Sequence, residues 1–174
     1  RVYTFDLLAN AFSMPAADLL KERFPGRFNA TKGSSLNAVP QFWRLPSPPC
    51  DLVHVDGRHS YHNTLLDALN LVPKASAHAL FIFDDQCDPQ DCNAATVIPG
   101  EPTLATCDLV SAGLLERVVS FYEGPRQFAL FRLNETRAAG VRSRMLAGEP
   151  AKICGKLCHI KWRHAWHSKM WADK

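Results

Sequence analysis

The sequence predicts an α/β fold: a mostly parallel sheet with helices on both faces, closed by a C-terminal antiparallel β-hairpin. Three observations predict it. Short apolar runs alternate with stretches of helical periodicity, as at residues 2–5 followed by 7–24 and 51–56 followed by 61–72. Three of those runs end in an acid, at Asp6, Asp56 and the pair Asp84-Asp85. The last two β-rich runs, 114–122 and 127–133, are separated only by Glu123-Gly124-Pro125-Arg126, a hairpin spacing.

Taken in order, residues 2–5 form a short strand with Asp6 at its tip, and Leu19, Leu20 and Phe24 fall near one face of the helix that follows. Pro25-Gly26 breaks that helix. Residues 27–30 are a brief strand, Gly33-Ser34-Ser35 a loop, and 36–45 a short helix ended by Pro46-Ser47-Pro48-Pro49. Residues 51–56 have the β-branched, apolar middle of a buried parallel strand, with His54 expected as a satisfied core histidine. Tyr61, Leu65, Leu66, Leu69 and Val72 keep the three-to-four spacing of an amphipathic helix, and Pro73 ends it. Residues 79–83 are the next strand, 86–100 a loop, and 103–112 a helix capped by Gly113.

Right-handed crossovers put the helices of such a chain on the faces of a parallel sheet, and ligands bind at the carboxyl ends of its strands. An acid is a poor strand residue, so its recurrence at one edge points to a site there.

The chain has 174 residues, 47% hydrophobic and 21% charged, which suits one domain with a continuous core. No run reaches the roughly eighteen apolar residues of a membrane span. The six cysteines, Cys50, Cys87, Cys92, Cys107, Cys154 and Cys158, are too scattered for a disulfide framework and favour a reduced, cytoplasmic protein. Asn29-Ala30-Thr31 and Asn134-Glu135-Thr136 fit the glycosylation sequon, which matters only in the secretory pathway.

From Glu135 onward nine Lys and Arg face three Asp and Glu, against eleven and fourteen before it. Residues 1–134 are therefore read as the domain and 135–174 as a basic extension, helical or disordered. Ile153, Leu157, Ile160, Trp162 and Trp166 interleave there with Lys152, Lys156, Lys161, Arg163 and Lys169. Such a stretch suits contact with a membrane surface or a protein partner, with a solvated end as the plainer alternative and no clear nucleic-acid signature. Cys154, Cys158, His159, His164 and His167 are zinc-binding types, but their spacing matches no standard finger.

Asp56-Gly57-Arg58-His59-Ser60-Tyr61 followed by Asp84-Asp85 resembles the class I S-adenosylmethionine-dependent methyltransferases whose fourth strand ends in a D-G-x-H-S-Y pattern and whose fifth ends in D-D. The resemblance implies a seven-stranded Rossmann-like sheet entered at its second strand, hence an N-terminally incomplete domain without the first strand and its glycine-rich turn. It implies that Asp6 holds the cofactor's ribose hydroxyls and that Gly33, Ser34 and Ser35 lie at the adenine. It further implies a divalent cation, magnesium or a similar ion, held by Asp56, Asp84 and Asp85, with His59 as the base that takes a proton from an acceptor hydroxyl.

The expected activity is thus methylation of an oxygen on a small molecule or sugar, although the isolated chain could be inactive. Plainer roles stand beside these: Asp56 before Gly57 as a turn residue, Asp84-Asp85 as a cap, and His59 as a helix-start residue. Two rival functions remain at this point. One is a non-catalytic remnant that interacts through its basic tail; the other is a metal-dependent hydrolase using the same Asp and His residues.

Overall fold

A computed structural model of the chain describes residues 1–43, 45–86, 101–123 and 126–147. The loop expected over 87–100 and the Trp-, Cys- and His-bearing tail from 148 onward lie outside the described residues.

Two parallel units follow one another. Strand β1 (Val2–Asp6) leads through helix α1 (Ser13–Arg23) to β2 (Phe28–Lys32), and the two strands pair in parallel from Val2↔Phe28 to Asp6↔Lys32. Helix α2 (Ser35–Phe42) then leads to β3 (Cys50–Val55), helix α3 (Tyr61–Leu71) and β4 (Ala75–Phe83). Helix α4 (Glu101–Ser111) precedes the hairpin of β5 (Leu115–Glu123) and β6 (Arg126–Leu133), and α5 (Glu135–Leu146) closes the described chain. The second sheet has the order β3-β4-β6-β5. Because β6 is antiparallel to both β4 and β5 while β3 and β4 are parallel, β6 alone runs against the rest of its sheet.

Period-two alternation places the core. Val53 and Val55, Phe81 and Phe83, and Phe131 and Leu133 from three neighbouring strands meet Leu65 and Leu69 of α3 and Ala105 and Leu109 of α4 in one cluster. Phe83 and Phe131 meet edge to face at 5.3 Å, and Phe81 stacks on Phe83 at 6.2 Å. Helix α3 is nucleated by Ser60, whose hydroxyl accepts the N–H of Asn63 at 3.4 Å, and Pro73 converts its end to a 3₁₀ turn at Val72–Lys74. Helix α5 starts at Asn134, whose side chain accepts the N–H of Arg137 at 3.2 Å. It is fastened by Arg142, which donates to the carbonyls of Val72 and Ala75 at 3.1 and 2.8 Å and pairs with Glu135.

Four local features differ from the sequence reading, each for a physical reason. Helix α1 starts at Ser13, not at residue 7, because Asp6 Oδ1 accepts the N–H of Leu8 at 2.5 Å and Leu8 sits at φ 49°, a turn rather than a helix. Strand β4 starts at Ala75, before its apolar run: Ala75 pairs with Cys50 and receives Arg142, contacts that override the weak strand propensity of Ala-Ser-Ala-His. His54 is exposed rather than part of the core, because on β3 only Val53 and Val55 face α3 and the opposite side opens on a cleft. Cys107 is disulfide-bonded, whereas a fully reduced set was expected; Cys50 is a free thiol.

Candidate active site at the carboxyl ends of the strands

Parallel pairing of β1 with β2 brings the tip acid Asp6 beside the next loop, and the N–H of Gly33 donates to the Asp6 carbonyl at 2.9 Å. Ser34 is the N-cap position of α2 and Ser35 its first residue. Asp6 and Ser35 line the same cleft as Asp56 and Gly57, a space of about 740 Å³ between β1 and β3. Acids from two strands and Ser35 of α2 therefore converge on one rim; Gly33, hydrogen-bonded to Asp6, and Ser34 after it are not among the residues that line the cleft.

At the inner end of this rim Asp56, His59 and Asp84 bring one ligand atom each within 4.8 Å of one another. The turn after β4 holds Asp84 there. Its N–H donates to the Val55 carbonyl at 3.3 Å, tying the end of β4 to the end of β3. Asp85 adopts φ 53°, and the next residue, Gln86, is fully buried. Gln86 donates its backbone N–H to Gln127 at 2.9 Å and accepts the Thr106 hydroxyl at 2.6 Å, so the turn is anchored to both β6 and α4.

His59 stands between two carboxylates, with Nε2 at 3.2 Å from Asp56 Oδ1 and Nδ1 at 2.5 Å from Asp85 Oδ2. Burial disfavours its charged form, yet the hydrogen bond to Asp56 and the charge of Asp85 outweigh that and push the pKa up. Burial also pushes the Asp56 carboxyl above the usual range; His59 pulls it down, while a hydrogen bond and the charge of Asp84 push it up again. Three carboxyl groups surround one imidazole, an excess of acidic groups over basic ones. Asp84 Oδ1 is moreover buried without a hydrogen-bond partner. An oxygen-rich, acidic cluster with an orphaned acceptor fits a hard divalent cation. Asp85 is the acid of the four groups that serves His59 instead of joining the cluster.

Sequence reasoning passed over three supporting residues. Glu101 accepts the N–H of Tyr61 at 2.7 Å, setting a negative charge at the start of α3, and Asp108 accepts the Tyr61 hydroxyl. Asp67 is only 5% exposed, and burial pushes its carboxyl up despite a hydrogen bond from Ser35. Its place within the apolar periodicity of α3 was the available signal: a charge at a core position. Asp67 also explains Gly57, where an added Cβ would lie 2.8 Å from Asp67 Oδ2. Gly57→Ala is expected to cost about 1–3 kcal/mol in a urea unfolding series, since the buried carboxylate has little room to move; an unchanged midpoint would mean that the contact relaxes freely.

Residues 1–86, from β1 to the turn after β4, match the sequence model of a family described as a methyltransferase domain. No curated protein matches the chain by sequence. Among solved structures, the fold is similar to the O-methyltransferase TomG of Streptomyces achromogenes, involved in tomaymycin synthesis and solved with S-adenosylmethionine (TM-score 0.58, 16% identity, covering 76% of this chain and 61% of that one). It is also similar to an O-methyltransferase of Bacillus cereus in complex with S-adenosylhomocysteine (TM-score 0.56, 12% identity, 76% and 62%). A third is a TDP-rhamnose 3'-O-methyltransferase of calicheamicin biosynthesis (TM-score 0.55, 12% identity, 74% and 58%). The chain spans about three fifths of the length of these structures.

Proposed function

We propose, from the match of residues 1–86 to a methyltransferase-domain model and the similarity of the fold to O-methyltransferases solved with S-adenosylmethionine or S-adenosylhomocysteine, that this chain belongs to a class I S-adenosylmethionine-dependent methyltransferase that methylates an oxygen of a small molecule or sugar. The observation that carries this reading is the convergence of Asp6, Ser35 and Asp56 on one cleft rim with Asp84 beside Asp56. Asp6 is suited to the ribose: a carboxylate accepts hydrogen bonds from two neighbouring hydroxyls at once. Gly33, whose N–H donates to the Asp6 carbonyl, and the Ser34 and Ser35 that follow it are assigned to the adenine end.

Asp56, His59 and Asp84 are the residues that would hold a divalent cation, with Asp85 steadying His59. Such an ion, when bound, lowers the pKa of an acceptor hydroxyl and fixes its position. Asp84 contributes its orphaned oxygen and Asp56 the carboxyl beside it. With the ion held by the carboxylates alone, His59 Nε2 is placed to receive the hydroxyl proton while Asp85 holds Nδ1, and the upward-shifted pKa means that the neutral base forms only at more alkaline pH than for an ordinary histidine. The fold match favours this reading over a hydrolase built on the same residues.

The test uses the full-length gene product with methyl-labelled S-adenosylmethionine and a panel of sugar and phenolic acceptors, with and without a chelator. Label transferred to an acceptor oxygen and lost on chelation is the expected result. Turnover of a substrate without S-adenosylmethionine would replace the proposal with the hydrolase.

A further inference from the structure

Cys107, half-buried on α4, is disulfide-bonded, and because Cys50 is a free thiol the other sulfur belongs to a cysteine outside the described residues. Cys107 neither lines the cleft nor joins Asp56, His59 and Asp84. Its neighbours on α4 make structural ties: Thr106 donates its hydroxyl to Gln86 at 2.6 Å, under the Asp84-Asp85 turn, and Asp108 accepts the Tyr61 hydroxyl. A disulfide at this point of the helix therefore braces the support of the site and takes no part in its chemistry. Structural disulfides persist in oxidising compartments, whereas those of the reducing cytosol are mostly transient and catalytic or redox-sensing.

A second, independent feature belongs to the same setting. Asn134-Glu135-Thr136 fits the acceptor sequence for an N-linked glycan, and the fold presents it at the junction of β6 and α5 with Asn134 and Thr136 both exposed. Asn134 caps α5 through Oδ1, which accepts the N–H of Arg137 at 3.2 Å, so this cap makes no use of Nδ2. A glycan is joined at Nδ2 and leaves the amide carbonyl in place; cap and glycan coexist. The register of β6 against β4, Phe83↔Ala129 and Leu80↔Arg132, carries Asn134 towards the edge of the sheet opposite Asp84, where a glycan stands clear of the cleft rim. Asn29 and Thr31 of the other sequon are exposed as well, but Asn29 lies within the paired strand β2, in register with Tyr3, and not at a surface junction.

We propose that the protein matures in an oxidising secretory compartment, where Cys107 is oxidised and Asn134 receives an N-linked glycan. In the first step two thiols give two electrons and two protons to the disulfide of a thiol oxidoreductase, which is left as two thiols. In the second, the oligosaccharide comes from a lipid-linked pyrophosphate donor. Its anomeric carbon–oxygen bond breaks, a bond from that carbon to Nδ2 of Asn134 forms, and one Nδ2 proton and the lipid pyrophosphate leave. Both modifications hold whichever acceptor the enzyme methylates.

The experiment expresses the full-length gene product from its own coding sequence, with no leader added, in cultured eukaryotic cells. Free thiols are alkylated at lysis, and N-glycans are then released enzymatically in heavy-oxygen water before peptide mass spectrometry. Asn134 is expected as aspartate carrying the heavy oxygen, and Cys107 is expected to resist alkylation until a reductant is added. Thr136→Ala should abolish the label at residue 134 and Thr136→Ser should retain it, while both keep the Asn134 cap and hence the parent's melting temperature. Asn134 recovered unmodified, or Cys107 alkylated without reductant, would each overturn the proposal.

Discussion

Asp84→Ala in the full-length gene product is expected to lower methyl transfer by about a hundredfold and to abolish cation binding, the largest functional effect of any single change in the cluster. Removing one of three convergent ligands forfeits several kcal/mol of charge stabilisation where an ion sits, and about 2.7 kcal/mol corresponds to two powers of ten in rate. Asp84 is the decisive position because its Oδ1 is buried and without a partner, so the native structure gains nothing from that oxygen unless a ligand arrives. The same substitution should therefore leave the isolated chain no less stable, or stabilise it, which separates a ligand role from a structural one. Manganese binding followed by paramagnetic resonance and urea unfolding measure the two effects on one sample. Loss of stability with binding intact would return Asp84 to the plainer role of a turn residue.

Phe131→Ala is expected to have the largest effect on stability, about 3–5 kcal/mol. Phe131 is fully buried on the central strand β6, edge to face with Phe83, and Arg117 lies over its ring at 5.0 Å. Truncation leaves a cavity at the junction of β4, β5 and β6 and removes an aromatic pair and a cation–π contact together. Domains have only about 5–15 kcal/mol to lose, so the variant should be largely unfolded near 37 °C. A thermal scan by circular dichroism reads this directly; a melting temperature within a few degrees of the parent would show that the core closes over the gap.

Much of this was legible in the sequence because it rested on local rules. The three acid-tipped strands, the helix from Tyr61 with its end at Pro73, and the terminal hairpin all follow from periodicity and turn chemistry, and each is found in place. What escaped depends on contacts distant in the chain. The true start of β4 is fixed by Cys50 and Arg142, residues far away in sequence. His54 was assigned to the core because a β-branched run reads as buried on both faces, yet one face of β3 opens on the cleft. The Gln86 anchor has no periodicity to betray it: it is a polar residue made buriable by Thr106 and Gln127. The basic segment after Glu135 read as an extension from charge alone, while Arg142 and Glu135 fasten its first turns to the base of β4.

The site itself was legible as residue types at strand ends, but not as a division of labour. That His59 takes Asp85 on one nitrogen and Asp56 on the other, leaving Oδ1 of Asp84 without a partner, depends on contacts between the turns that follow β3 and β4.

The most direct test is calorimetric titration of S-adenosylmethionine into the full-length protein and its Asp6→Ala variant. Binding by the parent, weakened roughly ten- to a hundredfold by loss of the charged acceptor, is the outcome that a nucleoside held at the β1 tip requires. Equal affinity in the two proteins, or no binding by a folded parent, would contradict it.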